Sequence, residues 1–331
     1  MAGVSHTTVS RALHDHPAIS PETVTRIKRI ASEQGYMPSA VARGLKTRHS
    51  FALGVIVSDL DDPFWGEVLQ GIDNVLHPAG YSLFVAATHR EPQREKEIVH
   101  AMVQRRVDGV ILCAPQFSAE QSRLLKAYGL PTAVVNNMGA EDYQYSIYND
   151  NIYGIKLVTR HLIELGHRQI AYIGNAIGGR TTIEREAGFR EEMQATDLDV
   201  REEWVILGPE GTPQGGFTAA QHLLSLKELP TAIVCYNDNM AIGVYSALFQ
   251  AGLRVPQDLS VTGFDNIAIA AYLIPPLTTL QQPKYDLGFG AAEILLGLLP
   301  RDEHKKDQPP EPKSVALRGE LVVRNSTQPP P

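Results

Sequence analysis

Apolar residues along this chain recur with two periods, and the two alternate. FALGVIVSDL is a continuous apolar run that ends in polar residues, and it reads as a strand buried on both faces. In WGEVLQGIDNVLHPAG the residues Trp65, Val68, Leu69, Ile72, Val75 and Leu76 return three and four positions apart, which predicts a helix stopped at Gly80. The strands YSLFVAAT, VDGVILCAP and PTAVVNN follow, interleaved with the helices EKEIVHAMVQRR and SAEQSRLLKAYG. The pattern then restarts with the helix YGIKLVTRHLIELG, closed by Gly166. Strands RQIAYIGN, EEWVILG, TAIVCYND and LSVTGFDN alternate with helices TIEREAGFREEMQA, GGFTAAQHLLSL and MAIGVYSALFQAG. This alternation predicts an α/β fold of two doubly wound parallel sheets, one per lobe, with a cleft between them. Ligands in such sheets bind beyond the carboxyl ends of the strands. Those ends read SDLDDPF, VVNN, GNAIGGR, CYNDN and GFDN.

The first fifty residues have a different pattern and predict a small all-α head. Ser5 is placed to cap a helix from about His6 to His14 whose buried stripe is Val9, Ala12 and Leu13. His6, Thr7, Ser10 and Arg11 face the other way. A second helix starts at SPET, with Ser20 as cap and Pro21 in the first turn, and buries Val24, Ile27, Ile30 and Ala31. Gly35 and Pro38 end it. A short third helix, SAVARGLK, is capped by Ser39.

Charge separates the same two regions. Residues 1–50 hold seven Lys/Arg against three acids, a net +4, so the overall −7 leaves −11 on the rest of the 331 residues. A basic head on an acidic body points to a polyanion as the partner of the head. Arg can bond a guanine edge bidentately, Thr and Ser can bond bases or phosphates, and a helix of this size fits the major groove. No run of 18 apolar residues and no secretory signal pattern is present, so a cytoplasmic protein without a membrane partner is expected. Cys113 and Cys235 lie in apolar strands and are expected buried and reduced. HExxH, GxSxG and clustered Cys/His spacings are absent, and GNAIGGR lacks the dinucleotide spacing GxGxxG. The reading is therefore no enzyme, no catalytic residue, no metal and no cofactor. His167, between a helix stop and a strand, reads as structural.

AGVSHTTVSRAL, ISPETVTRI and GYMPSAVARGLKT together resemble the DNA-binding head of the lactose-repressor family of bacterial regulators. LIELGHRQIAYIG, NDNMAIG, GLRVPQDLSVTGFDN and PPLTTLQQP resemble segments of that family's effector-binding core, which is itself similar to periplasmic sugar-binding proteins. The resemblance covers about residues 2–325. It implies a partial helix-turn-helix over 1–38, a hinge helix and linker over 39–50, and a core over 51–325. The first lobe would be about 51–149 with 282–306, the second about 150–281 with 313–325, and 326–331 a disordered tail. By family position His6, Thr7 and Arg11 would read bases, and Leu45 of the hinge helix would wedge into the minor groove. About ten residues precede AGVS in the family and form the first helix of the motif, so an in-frame extension upstream of Met1 is expected.

The resemblance also assigns the cleft. Asp62, Phe64, Asn136, Arg185, Asn237 and Asp265 would contact a small-molecule effector, a sugar by their chemistry, and Trp65 reads equally as core or ligand contact. Around Gly211, where relatives place an aromatic wall, this chain has PEGTP. The implied function is a ligand-controlled repressor that binds a palindromic DNA operator as a homodimer. The tail after Arg324 has no leucine heptads, so tetramers are not expected. Two alternatives fit parts of the pattern: a sugar-binding transport-type protein without DNA binding, and a Rossmann-type sugar or nucleotide enzyme.

Overall fold

The computed structural model describes residues 3–13, 16–36, 49–113, 119–136, 145–299 and 311–331. The chain divides into two compact units, Met1–Phe51 and Ala52–Pro331.

In the first unit α1 spans His6–Leu13 and α2 spans Pro21–Glu33. Ser5 Oγ accepts the Thr8 N–H at 3.1 Å, which satisfies one of the orphan amides at the start of α1. Ser20 does the same for Thr23 at the start of α2. Ala12 and Ile27 are the buried residues of the pair. Gly35 takes φ +61°, and the Tyr36 N–H returns to the Ala31 carbonyl at 2.8 Å, so α2 ends as its glycine predicts. The hinge segment SAVARGLK, with Ser39 and Leu45, lies outside the described residues.

The second unit is built on two six-stranded sheets. The first takes β1 (Ala52–Val57), β2 (Ser82–Ala87), β3 (Gly109–Cys113), β4 (Thr132–Val135), β5 (Tyr145–Asn149) and β11 (Lys313–Leu317). Their order is β11-β5-β4-β3-β1-β2, and every neighbouring pair is parallel. The second takes β6 (Ile170–Asn175), β7 (Val205–Gly208), β8 (Ala232–Cys235), β9 (Ser260–Asp265), β10 (Thr278–Gln281) and β12 (Glu320–Val322). Its order is β12-β10-β9-β8-β6-β7, parallel except for β12 against β10. Strands β1, β3, β6, β8 and β9 are buried along their whole length, as strands covered by helices on both faces must be. Cys113 and Cys235 lie in two of them as free, buried thiols, and burial pushes both well above the ordinary thiol range.

The structure departs from the sequence reading in three places. β5 has no continuous apolar run, because Ser146 and Asn149 interrupt YSIYN, and the reading had no strand there. SVALRGELVVRN, assigned above to the second lobe with the rest of 313–325, is divided: β11 closes the first sheet and β12 the second. Gly319 makes the passage between them, lying against the Gln281 carbonyl with no room for a Cβ. Residues 326–331, read as a disordered tail, are docked on the second lobe. Ser326 is fully buried, donates to the Val261 carbonyl at 2.6 Å and accepts from the Thr278 N–H at 2.8 Å. His167 Nε2 meets the Gln328 carbonyl at 2.8 Å, and its Nδ1 meets Thr231 Oγ1 at 2.8 Å, so this histidine is a strut for the tail.

The chain crosses between the sheets at residue 150, at 282–283 and at 318–319. The crossings lie side by side: the Asp150 N–H bonds the Leu317 carbonyl at 2.8 Å, and Gly319 abuts Gln281. In the first lobe α3 (Phe64–Leu76) packs on α10 (Lys284–Leu298) through glycines. Gly71 faces the Tyr285 carbonyl and the Phe289 N–H, and Gly288 faces the Val68 carbonyl, so the two backbones touch. Gly71→Ala is therefore expected to lower stability by about 1–3 kcal/mol through overpacking against rigid backbone. Gly66→Ala in the same helix meets nothing within 4 Å and should be neutral or stabilising. Urea denaturation of the two variants checks the contrast.

Candidate functional site

Two surfaces carry the residues singled out from the sequence. On the head, His6, Thr7 and Arg11 are exposed on α1 and Ser10 is half-buried beside them, opposite buried Ala12. A helical spacing of 6, 7, 10 and 11 brings these donors onto one face.

The second surface is a cleft in the core, at the carboxyl ends of β1, β4, β6, β8 and β9. Asp62, Phe64, Trp65, Asn136, Arg185, Asn237 and Asp265 all line it. Asp62 follows β1 and accepts the Phe64 N–H at 3.1 Å, fixing the entry to α3. The Phe64 and Trp65 rings meet edge to face with centroids 4.9 Å apart, and both rings also belong to the first-lobe core. Asn136 follows β4 with φ +55°, and its Oδ1 accepts the Asn149 N–H at 3.0 Å. Asn237 caps α9 (Asp238–Gln250): Oδ1 accepts from Met240 N–H at 2.8 Å, and Nδ2 donates to the Gly211 carbonyl at 2.9 Å.

Arg185, on α7 (Arg180–Ala195), is the buried cation of the site. Its Nε donates to Asn151 Oδ1 at 3.1 Å and its Nη1 to the Tyr236 carbonyl at 2.6 Å. The guanidinium carbon lies 4.5 Å from the Tyr236 ring centre and 3.9 Å from that of Phe264. Asp265 Oδ1 sits 3.8 Å from Nη2 and also accepts from Gln282 Nε2. Burial pushes the Asp265 carboxyl up to about 6; Arg185, Lys284 and Gln282 pull it down, and Asp62 pushes it up. Burial, and then the neighbouring Asp265, raise Asp238, which lies behind the site. Burial also raises Asp62.

Ser58, Arg90, Asn175, Thr181, Tyr236 and Gln282 also line the cleft and were not singled out from the sequence. Asn175 and Tyr236 fall inside strand ends already named, GNAIGGR and CYNDN. Gln282 comes from a crossing between lobes, which no strand-end rule points to, and its Oε1 is buried without a hydrogen-bond partner. Gly211 lines the cleft in place of an aromatic wall. A Cβ there would stand 2.9 Å from Asn175 Nδ2, so the asparagine fills the space next to it. Among the described residues no group of three or more His, Cys, Asp or Glu could hold a metal ion. No described helix is long and apolar enough to cross a membrane.

Residues 1–39 match the bacterial regulatory proteins of the lacI family, and residues 159–327 match the periplasmic binding protein-like domain. The HTH-type transcriptional repressor PurR of Actinobacillus pleuropneumoniae serotype 3 (strain JL03) is 34% identical over 328 residues, spanning 99% of this chain and 96% of that protein. The chain belongs to the lacI family. This lacI-family protein is accordingly a ligand-responsive DNA-binding transcriptional regulator and not an enzyme, which sets aside the transport-type and Rossmann-enzyme alternatives. Its fold matches the lac repressor dimer bound to operator and the anti-inducer ONPF, with a TM-score of 0.84 at 27% identity, covering 99% of this chain and 96% of that one. The transcriptional regulator CelR in complex with cellobiose matches with a TM-score of 0.76 at 28% identity, over 98% and 97% of the two chains.

Arg185→Met in this lacI-family regulator removes the partner of the Tyr236 carbonyl, Asn151 and Asp265 at once. A loss of roughly 3–5 kcal/mol in urea denaturation is expected, because uncompensated polar groups stay buried. The Asp265 carboxyl should also titrate higher than in the parent protein, read by infrared spectroscopy against Asp265→Asn.

Proposed function

We propose that this protein is a homodimeric repressor of a palindromic operator and that a sugar or related neutral polyol in the cleft controls its DNA binding. The observation that carries the ligand class is the convergence of Asp62, Asn136, Arg185, Asn237 and Asp265 with the Phe64 and Trp65 rings on one cleft. Carboxylates and amides accept from vicinal hydroxyls, a guanidinium donates in a fork, and an aromatic face covers a sugar ring. The CelR–cellobiose complex supports a saccharide in such a cleft. The lac repressor dimer on its operator supports a paired head. One short helix reads too few base pairs alone, so two heads on a two-fold axis meet a palindrome. On this reading His6, Thr7, Ser10, Arg11 and Ser39 contact DNA, and Leu45 of the hinge segment wedges into the minor groove. The protein works where the chromosome is, in the cytoplasm.

Calorimetric titration of a panel of pentoses, hexoses and cellobiose into the full chain tests the ligand class. At least one should bind, and Asp265→Asn should weaken it tenfold or more. Ionised Asp265 is a charged acceptor on both oxygens, whereas the protonated acid is a weaker, neutral acceptor with one oxygen turned donor, so affinity should fall as the pH drops through about 6. Failure of every saccharide to bind rejects the sugar reading.

Operator binding is tested with duplexes enriched from a random library. The enriched site should be palindromic, and affinity should fall steeply with salt. Arg11→Ala should cost about 1–3 kcal/mol and relax the preference at one base pair of each half-site. Enrichment of non-palindromic duplexes would count against paired heads.

A further inference from the structure

Lys284 is the first residue of α10, and its side chain is 2% exposed. Its ammonium group donates to the Asp265 carbonyl at 2.6 Å and the Asn266 carbonyl at 2.8 Å, and it pairs with Glu67 Oε1 at 3.0 Å. The three partners use the three donors of the ammonium. They also come from both lobes. Glu67 is in the first turn of α3, two residues after Trp65 of the cleft, and α3 is locked to α10 by the Gly71 and Gly288 contacts. Asp265 ends β9 of the second lobe and Asn266 follows it.

We propose that Lys284 is a positioning residue: it holds the backbone that aims the Asp265 carboxylate into the cleft, and through Glu67 it ties that strand end to α3 of the first lobe. The inference rests on the reading of Asp265 as an effector contact and deepens it.

Backbone geometry supports the first half. Asp265 has φ +121° and Asn266 φ +51°, two successive non-glycine residues at positive φ, the first well outside the allowed left-handed region. Such a pair persists only where its surroundings over-determine it. Here two consecutive carbonyls converge on one nitrogen, which the unusual backbone makes possible and the ammonium then stabilises. The choice of side chain supports the second half. Burying an ammonium carries a desolvation penalty, and a methionine would fill similar space without it. A purely packing role would not require the charge. The charge has a use at this place, because it lies between an acidic cleft residue of one lobe and a carboxylate of the other. Asp265 is faced by Arg185, Asp62, Asp238 and Lys284, and of the two cations only Lys284 belongs to an element of the first lobe.

The test uses the full chain without ligand, so its outcome is separate from the saccharide titrations. Lys284→Met, Lys284→Arg, Glu67→Gln and the double variant Lys284→Met with Glu67→Gln are compared. Isotope-edited infrared spectroscopy follows the Asp265 carboxyl, assigned with Asp265→Asn. Spin labels on cysteines introduced at exposed Glu97 of the first lobe and Glu203 of the second report the distance between lobes; the two native cysteines are buried and stay unlabelled. Lys284→Met should make Asp265 bind its proton at least tenfold more tightly, and Lys284→Arg should restore most of the difference. Lys284→Met and Glu67→Gln should each broaden the interlobe distance distribution, and the double variant should broaden it no further than Lys284→Met alone. The proposal is overturned if Lys284→Met leaves the titration in place, or if the two substitutions act additively on the distance. Should Lys284→Met fail to fold, Glu67→Gln decides by itself: an unchanged distance distribution rejects the tie between lobes.

Discussion

The core depends on three peptide segments that run next to one another between the two sheets. A single connection would let the lobes swivel freely. Three adjacent connections, bonded to each other through Asp150 and Leu317 and pressed together at Gly319 and Gln281, resist twisting and leave bending as the soft motion. The cleft lies beside this axis, so a small bend changes the separation of its two walls. Asp62, Phe64, Trp65 and Asn136 come from one wall, and Arg185, Asn237 and Asp265 from the other. A ligand that touches both walls therefore acts directly on the one soft coordinate of the core, and its leverage equals its difference in affinity between bent states.

Inside that cleft the charges are arranged so that none is left alone. Arg185 carries hydrogen bonds, an ion pair and two aromatic faces, and Asp265 is set between Arg185, Gln282 and the backbone held by Lys284. Ionic groups at this depth persist because their partners are prearranged, and removing one partner exposes the full desolvation penalty of the other. Asp238 avoids the problem differently: it takes hydrogen bonds from Ile267 N–H and Thr279 Oγ1, and burial beside Asp265 favours its protonated form.

Much of this was legible from the order of residues, for a physical reason. Parallel strands covered on both faces favour apolar runs, and the helices between them need a stripe and a stop, so β1, β3, β6 and β8 and the stops at Gly80 and Gly166 could be read directly. Strand ends then located the polar cleft. The rest depended on contacts between residues far apart in sequence. A crossing and a hairpin look alike in SVALRGELVVRN; the difference is the close approach of Gly319 to Gln281. Proline content suggested a loose tail, yet composition is blind to one serine hydroxyl that satisfies β9 and β10 together. Gln282 and Lys284 reach the site from between the lobes, where hydropathy carries no signal.

The docked residues 326–331 also lie away from the cleft. Ser326 and Gln328 bind at Val261, Ser260 and Thr278, the starting ends of β9 and β10, whereas Asp265 at the far end of β9 lines the cleft. Five residue steps at ~3.3 Å each separate the two poles by roughly 17 Å. Pro331, three residues beyond Gln328, is exposed. A fluorescent reporter fused after it would emerge clear of the cleft mouth, while the buried serine and the His167 strut would keep the junction rigid. Residue 331 is thus a suitable attachment point for turning this molecule into an optical sensor of its own effector.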